Sequence, residues 1–205
     1  MIETGFLITA FATLFVVIDP PGLVPLFIAL TRGMSTERRR AMALRACIIA
    51  TVLLLLFAVA GEAILGFVGI SMPAFRIAGG MLLFLTALDM LFERRTQRRE
   101  GQHPEPDHDP SVFPLATPLI AGPGAIATMI LLAGQSGGGW VGTLAVIGLM
   151  VAMMLVTFLF LLASPPIERA LGRTGTIVIT RLLGMLLAAL SVQFVIDGVK
   201  GTGLI

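Results

Sequence analysis

Two short motifs rich in proline and glycine interrupt long apolar segments of the sequence. The first is Asp19-Pro20-Pro21-Gly22 and the second is Ala121-Gly122-Pro123-Gly124. Inside a helix, proline removes a backbone donor and costs about 3 kcal/mol, and glycine costs about 1 kcal/mol relative to alanine. Each segment is therefore predicted to be a broken helix whose second half starts with unused N–H groups at a positive helix end. Such an end binds anions, so the motifs predict a carboxylate site.

The candidate substrate-binding residues are the two motifs and the residues that follow them. We expect the backbone N–H groups of Gly22, Leu23, Gly124 and Ala125 to hold the carboxylate. The alternative is that both motifs are plain kinks required for packing. The full candidate set is Asp19, Pro20, Pro21, Gly22, Leu23, Gly122, Pro123, Gly124 and Ala125.

Asp19 places a charge where the first apolar segment is interrupted. An acidic residue near the centre of a membrane helix costs about 2.5–3.5 kcal/mol on insertion scales, so a compensating role is expected. Its carboxylate could accept the amino group of a zwitterion or carry a coupling proton. The alternative is a helix cap, bonded to N–H groups of the second half-helix. Its counterpart Ala121 is apolar, so the predicted site is asymmetric in charge.

Arg76 and Arg181 lie a few residues inside predicted spans, where a charge is costly, and they are candidates for gating residues. Their predicted partners are Asp89, Asp197, Glu62 and Glu168 or loose carbonyls at the breaks; the alternative is that both side chains extend to the headgroups. Secondary polar contacts are predicted for Thr86, Ser191 and Gln193, although such side chains more often bond their own helix.

The elements that carry these residues are long enough to cross a bilayer. The chain of 205 residues is 57% apolar and 13% charged, whereas soluble domains carry about 25% charge. A lipid-crossing helix needs roughly 20 apolar residues. Six segments qualify, and they predict an all-α membrane protein; they are residues 6–30, 41–65, 71–92, 112–134, 140–164 and 176–199.

Basic residues alternate along the chain and predict its orientation, because short loops rich in Lys and Arg stay in the cytoplasm. The intervening loops, residues 66–71 and 135–139, contain no basic residue. Loops one, three and five are therefore predicted to be cytoplasmic and both termini outside. Their basic residues are Arg32, Arg38, Arg39, Arg40 and Arg45, then Arg94, Arg95, Arg98 and Arg99, then Arg169 and Arg173.

The two halves of the sequence resemble each other. Beyond the two motifs, residues 62–69 match residues 168–175, and residues 76–79 match residues 181–184 in nearly the same register. Each copy has three spans, so the second must enter the membrane in the opposite sense. This pattern predicts inverted three-helix repeats, common among secondary transporters, with helices 1 and 4 broken near the midplane. We divide a single membrane domain, 1–205, into repeat one (1–98), a linker (99–110) and repeat two (111–205).

The linker is polar and rich in proline. His103 and His108 lie among acidic residues there, an arrangement that could bind a metal ion, but a disordered connection is the favoured interpretation. We therefore predict no metal site and no cofactor.

Three segments resemble the MarC family, also described as the SnatA-like neutral amino acid transporters. They are residues 15–22 (from Phe15 to Gly22), residues 69–80 (from Gly69 to Gly80) and residues 118–126 (from Pro118 to Ile126). The resemblance covers nearly the whole chain. It implies a multi-pass protein of the prokaryotic plasma (inner) membrane, some of whose relatives move glycine, alanine or related amino acids, driven by an ion gradient.

The sequence therefore favours a secondary carrier of small zwitterionic amino acids of the glycine, alanine or serine type, coupled to H⁺ or Na⁺. The alternatives are an inorganic ion or metal carrier, or an exporter of another metabolite. An enzyme is not predicted, because the spans contain no histidine and no nucleophile–base pair. Lipid is the expected surrounding, a homo-oligomer is compatible with the sequence, and no nucleic acid partner is predicted, because the positive-inside pattern explains the basic residues.

Overall fold

The computed structural model describes residues 4–92, 109–135 and 140–203. Within these ranges the chain is helical and has no strand, which confirms the all-α fold class. The predicted metal-binding alternative at His103 and His108, and the basic residues of loop three, lie outside the described residues. The helices are α1 (Thr4–Ile18), α2 (Pro20–Leu30), α3 (Thr36–Val68), α4 (Met72–Leu91), α5 (Ser111–Ile120), α6 (Pro123–Gln135), α7 (Trp140–Leu162) and α8 (Ser164–Gly201).

The described helices include enough long apolar segments for up to six membrane crossings. Five segments each qualify as one membrane span, with α1 and α2 counted together as the first. The pair α5 and α6, bent by 53°, provides the sixth. These segments overlap all six predicted spans. The five single segments are Thr4–Leu30, Thr36–Val68, Met72–Leu91, Trp140–Leu162 and Thr174–Gly201.

Serine caps define where α3 and α4 begin. Ser35 Oγ accepts a hydrogen bond from the Arg38 N–H at 3.4 Å, and Ser71 Oγ accepts from the Ala74 N–H at 3.3 Å. A serine at the N-cap satisfies one of the donors that the first helical turn leaves unused. Because α3 already begins at Thr36, most basic residues of the predicted loop one lie on its first turns.

The start of α8 also differs from the predicted loop five. Residues 164–171 are helical, and the interruption falls at Gly172, with φ 61° and ψ 178°. Glycine adopts this conformation readily because it has no Cβ. The basic Arg169 is therefore on a short helical segment before the span rather than in an extended loop.

Helices α4 and α8 pack closely and run antiparallel. A Cβ on Gly80 would lie 2.8 Å from the Ser191 carbonyl oxygen, and one on Gly198 would lie 3.0 Å from the Pro73 carbonyl oxygen. Small residues let helix backbones approach in lipid, where packing rather than water drives association. At the other end of this helix pair, a Cβ on Gly184 would lie 3.3 Å from the Ala87 carbonyl oxygen of α4.

Polar contacts bring one set of helix ends together. Arg39 Nη2 donates to Ser164 Oγ at 3.2 Å, and Arg45 pairs with Asp109. These contacts join the start of α3 to the start of α8 and to the residues before α5. The starts of α3 and α8 and the residue Asp109 therefore lie on one side of the molecule. Which side of the membrane this is remains a prediction.

Matched positions of the predicted repeat differ in burial. Leu187 is completely buried whereas its counterpart Leu82 is exposed, and Ser191 is buried whereas Thr86 is half-buried. The inverted repeat and the division at the linker remain predictions.

Candidate functional site

The junction of α1 and α2 consists of one residue, Asp19. Its backbone is left-handed, with φ 54° and ψ 61°, and its side chain is almost completely buried at 1% exposure. Aspartate is one of the few residues other than glycine that tolerates this conformation, because its short side chain can bond locally. Here Asp19 Oδ1 accepts a hydrogen bond from the Gly22 N–H at 3.1 Å.

Gly22 provides the space for this cap. A Cβ at Gly22 would lie 2.0 Å from Asp19 Oδ2 and 2.7 Å from Asp19 Cγ. No side chain could occupy that position without moving the carboxylate. A side chain at position 22 would therefore displace the carboxylate that caps α2.

The N–H groups after the first break have acceptors within the chain. The Gly22 N–H donates to Asp19 Oδ1, and the Leu23 N–H donates to the Asp19 carbonyl oxygen at 3.2 Å. These two donors were expected to hold a substrate carboxylate, but in this conformation they are engaged. Asp19 therefore acts as the N-cap of α2, which was the alternative role predicted for it.

The second break is wider and more irregular. In α5, Phe113 and Thr117 have non-helical backbone angles, and the chain then bends at Ala121 and Gly122 before α6 begins at Pro123. A Cβ at Gly122 would lie 2.4 Å from the Pro118 carbonyl oxygen. The two halves of this span therefore require glycine at the bend.

The N-cap residue of α6 is Gly122, whose carbonyl oxygen accepts a hydrogen bond from the Ile126 N–H at 3.0 Å. Because glycine has no side chain, this residue cannot cap the N–H groups of the first turn. The first N–H groups of a helix have no acceptor within it. At α6 these belong to Gly124 and Ala125, since Pro123 has no N–H. These are two of the four donors to which the sequence assigned a carboxylate, and that assignment remains a prediction.

The second break lies against the helix that leads into the first. A Cβ on Gly124 would lie 3.6 Å from Val17 Cγ1, 3.4 Å from Thr86 Oγ1 and 3.1 Å from Leu83 Cδ2. Val17 precedes Asp19 by two residues. The structure therefore brings the start of α6, the end of α1 and the middle of α4 to one place.

The other polar candidates mostly bond within their own helices. Thr86 Oγ1 donates to the Leu82 carbonyl oxygen at 3.0 Å, and Ser191 Oγ donates to that of Ala188 at 2.6 Å. Gln193 Nε2 donates to Asp197 Oδ1 at 2.8 Å along α8.

The gating candidates occupy α4 and α8. Arg76 is half-buried, and its Nε is buried with no hydrogen-bond partner in the described part of the chain. Asp89 is half-buried on α4, and Arg181 is exposed on α8.

Thr128 was missed by the sequence analysis. It is completely buried, and its hydroxyl has no hydrogen-bond partner among the described residues. Its spacing could have identified it, because Thr128 follows Gly124 by four residues and so shares a face of α6 with that candidate residue. By contrast, the equally buried Thr157 donates to the Met153 carbonyl oxygen at 2.9 Å.

The described residues contain no group of three or more His, Cys, Asp or Glu side chains that could hold a metal ion. An open apolar groove of about 470 Å³ follows α4 and α8, where Met81, Phe84 and Val192 contribute to its lining.

Known proteins match this chain over almost its full length. The profile of the MarC family of integral membrane proteins matches residues 4–202. The chain belongs to the MarC family. It is 41% identical to a UPF0056 membrane protein of Archaeoglobus fulgidus (95% of this chain, 92% of the relative) and 39% identical to the UPF0056 membrane protein YvbG of Bacillus subtilis (96% and 95%). It is also 34% identical to the UPF0056 inner membrane protein YhgN of Escherichia coli (95% and 96%).

No solved structure matches this MarC chain. Both helix breaks lie within the residues that the family profile covers. The resemblance found from sequence is therefore confirmed, and with it the assignment to the integral membrane proteins.

Proposed function

We propose that this MarC-family protein is a secondary transporter of small neutral amino acids, of the glycine, alanine or serine type. It would work by alternating access between two inverted three-helix repeats in the prokaryotic plasma membrane. The observation that carries the proposal is the position of Gly124, which lies beside Val17 and Thr86 at the start of a half-helix.

The start of α6 suits a carboxylate. Its first N–H groups, at Gly124 and Ala125, lie at the positive end of the α6 dipole, which carries roughly half a charge. Gly124 and Ala125 are buried, whereas Gly122 is half-buried and Pro123 is exposed, so a small solute would have to reach these N–H groups past Gly122 and Pro123. Backbone donors without side chains around them also favour a ligand with little bulk.

The first break supplies the opposite charge. The buried carboxylate of Asp19 lies at the end of α1, where the helix dipole is negative. A ligand or ligand pair placed between the two breaks would have the Asp19 carboxylate, which caps α2, on one side and the N-terminal end of α6 on the other. A zwitterion, with or without a coupling cation, fits this polarity, whereas an anion alone does not.

The antiparallel contact of α4 and α8 supports the proposed symmetry. Under the predicted repeat these two helices are the third spans of each copy, and an in-plane two-fold axis would relate antiparallel partners. Their glycine-lined contact would allow one half to move against the other while the helices stay packed.

Ligand-dependent thermal stability tests the proposal. Purified protein is heated with glycine, alanine, serine, leucine, glutamate or divalent metal salts, because a ligand that binds only the folded state raises Tm. We expect glycine, alanine or serine to raise Tm more than leucine or glutamate. Stabilisation by metal salts alone would instead support the ion or metal carrier. No response to any amino acid, together with no uptake of labelled glycine into proteoliposomes above empty vesicles, would overturn the proposal.

A further inference from the structure

Thr128, on the second turn of α6, is an exception among the buried threonines of the described chain. Its side chain is completely buried, and its hydroxyl has no hydrogen-bond partner among the described residues. The buried Thr13, Thr31 and Thr157 each donate to the carbonyl oxygen four residues earlier in their helix. Thr128 does not bond the Gly124 carbonyl in this way, so its hydroxyl is available to a ligand.

An unpaired hydroxyl in the interior reduces the stability of the folded protein, because it has given up its hydrogen bonds to water. Valine has nearly the same shape and no polar group, so it should be the more stabilising residue at this position. Residues that reduce stability in this way are expected where they contribute to function. The burial of the Thr128 hydroxyl therefore indicates a functional role.

Helix geometry fixes the position of Thr128 relative to Gly124. Four residues advance a helix by about 6 Å and turn it about 40° beyond one full turn. Because helical side chains lean towards the N-terminal end, the Thr128 side chain lies over the turn that starts at Gly124. Ala127 is on one flank of Gly124 and contacts α4, since a Cβ on Gly79 would lie 3.5 Å from Ala127 Cβ. Thr128 is on the other flank, within reach of a ligand bound at the start of α6.

We propose that Thr128 is a specificity residue of the substrate site and that its hydroxyl bonds the side-chain hydroxyl of serine. This inference rests on the proposed function and narrows its substrate class to small amino acids that carry a hydroxyl group. A carboxylate held by the Gly124 and Ala125 N–H groups would lie more than one helical turn from Thr128. That separation exceeds a single hydrogen bond of about 2.7–2.8 Å between hydroxyl oxygens, so a second polar group of the ligand has to extend towards Thr128.

Serine has this second group, and glycine and alanine do not. Their ammonium group is attached to the same carbon as the carboxylate, so it reaches less far along the helix than the hydroxyl of serine. A site built to bond a substrate hydroxyl discriminates strongly against an analogue that lacks it, because the buried polar group of the site is then left unpaired. The Thr128 hydroxyl should therefore favour serine over alanine.

The path from Gly124 to Thr128 is covered by side-chain atoms. The three atoms nearest to a Cβ on Gly124 are Leu83 Cδ2 at 3.1 Å, Thr86 Oγ1 at 3.4 Å and Val17 Cγ1 at 3.6 Å. The ends of side chains can rotate, so serine can reach Thr128 once these groups move aside.

Three substitutions separate a ligand-binding role from a structural one. Thr128→Val removes the hydroxyl and keeps the shape, whereas Thr128→Ser keeps the hydroxyl and removes a methyl group. The matched control is Thr157→Val on α7, because Thr157 is equally buried but its hydroxyl donates to the Met153 carbonyl oxygen at 2.9 Å.

The test is the Tm of each purified protein, first without ligand and then titrated with serine, alanine and glycine. Without ligand, Thr128→Val should be at least as stable as the wild type, whereas Thr157→Val should have a lower Tm because it loses a hydrogen bond. The wild type should bind serine more tightly than alanine, and Thr128→Ser should retain this preference. Thr128→Val should weaken the apparent affinity for serine at least about tenfold, which corresponds to 1.4 kcal/mol, and the affinity for alanine by less.

Two results would overturn the role of Thr128 and leave the proposed function standing. One is a protein that glycine or alanine stabilises but whose affinity for serine is the same in the wild type and in Thr128→Val. The other is a ligand-free Tm that Thr128→Val lowers as much as Thr157→Val does, because the hydroxyl would then have a structural partner such as a buried water. A wild type that responds to none of the three amino acids would overturn this inference together with the proposed function.

Discussion

The carboxylate of Asp19 occupies the space that a side chain at Gly22 would need. Its Oδ1 accepts from the Gly22 N–H at 3.1 Å, and its Oδ2 would lie 2.0 Å from a Cβ at position 22. The acid, the glycine and the left-handed turn therefore form one unit, and a change in one member alters the others.

Gly22→Ala should displace the Asp19 side chain and break the cap. Overpacking of a close contact typically costs about 1–3 kcal/mol, so we expect a clear fall in Tm in detergent. Gly66→Ala is the matched control, because a Cβ there meets no atom within 4 Å and the residue is also in a helix. Equal Tm values for the two variants would show that the Asp19 carboxylate does not fill the space over Gly22.

A methyl group at position 124 should change which amino acid binds best. The Cβ of Gly124→Ala would lie 3.1 Å from Leu83 Cδ2 and 3.4 Å from Thr86 Oγ1, so it fits with small shifts and narrows the proposed substrate site. Since one methylene in a fitted pocket is worth about 1–3 kcal/mol, affinity for alanine should fall more than affinity for glycine. Isothermal titration with both ligands measures the ratio, and Gly148→Ala, which meets no atom within 4 Å, should leave it at the wild-type value.

The α4–α8 contact should not tolerate a side chain at Gly198. A Cβ there would lie 3.0 Å from both the Ile77 nitrogen and the Pro73 carbonyl oxygen, which are backbone atoms and cannot rotate away. We expect Gly198→Ala to lower Tm by more than Gly148→Ala does. A smaller loss than in the control would contradict the close backbone approach of these helices.

The start of α5 should contribute a pH-dependent term to stability. Hydrogen bonds from the Ser111 hydroxyl and N–H, followed by the ion pair with Arg45, hold the pKa of the Asp109 carboxyl below its ordinary value. A lowered folded-state pKa stabilises the protein above the unfolded-state pKa, and this contribution is lost as pH falls through the folded value. The site is exposed, so the contribution should not exceed about 1 kcal/mol.

The measurement is Tm against pH from 7 down to 3 for the wild type and Asp109→Asn. The variant should be slightly less stable at pH 7, and the difference should shrink towards pH 3. A difference that grows on acidification would mean that Asp109 is not stabilised as the anion.

Orientation can be tested with two cysteine positions on opposite sides of the molecule. Cys47 is the only cysteine and is buried, so Cys47→Ser gives a background without reactive thiol. In it, Glu37→Cys, near the start of α3, should react with an impermeant maleimide only after the membrane is opened. Ile70→Cys, after α3, should react in intact cells, and the reverse pattern would refute the orientation predicted from the basic residues.

The spans were predictable from sequence because hydropathy over about 20 residues is set by the bilayer. The breaks were also signalled, since Pro20, Pro21 and Pro123 cannot continue a helix. Their internal bonding was not predictable: whether the Gly22 N–H meets a ligand or the Asp19 side chain depends on one rotamer. The interruption at Gly172 was likewise hidden, because a glycine without a neighbouring proline is compatible with a helix or a loop.

Counterflow of labelled glycine in proteoliposomes tests the central claim most directly. The vesicles are preloaded with unlabelled glycine. Those that contain the wild type or Gly148→Val should accumulate label transiently. Those that contain Gly124→Val should not, because the larger side chain would crowd Leu83 and Val17. All three proteins should be present in the membrane in equal amounts. If Gly124→Val exchanges glycine as fast as the wild type, or if the wild type accumulates no more label than empty vesicles, the account of a carrier site between the two broken helices is contradicted.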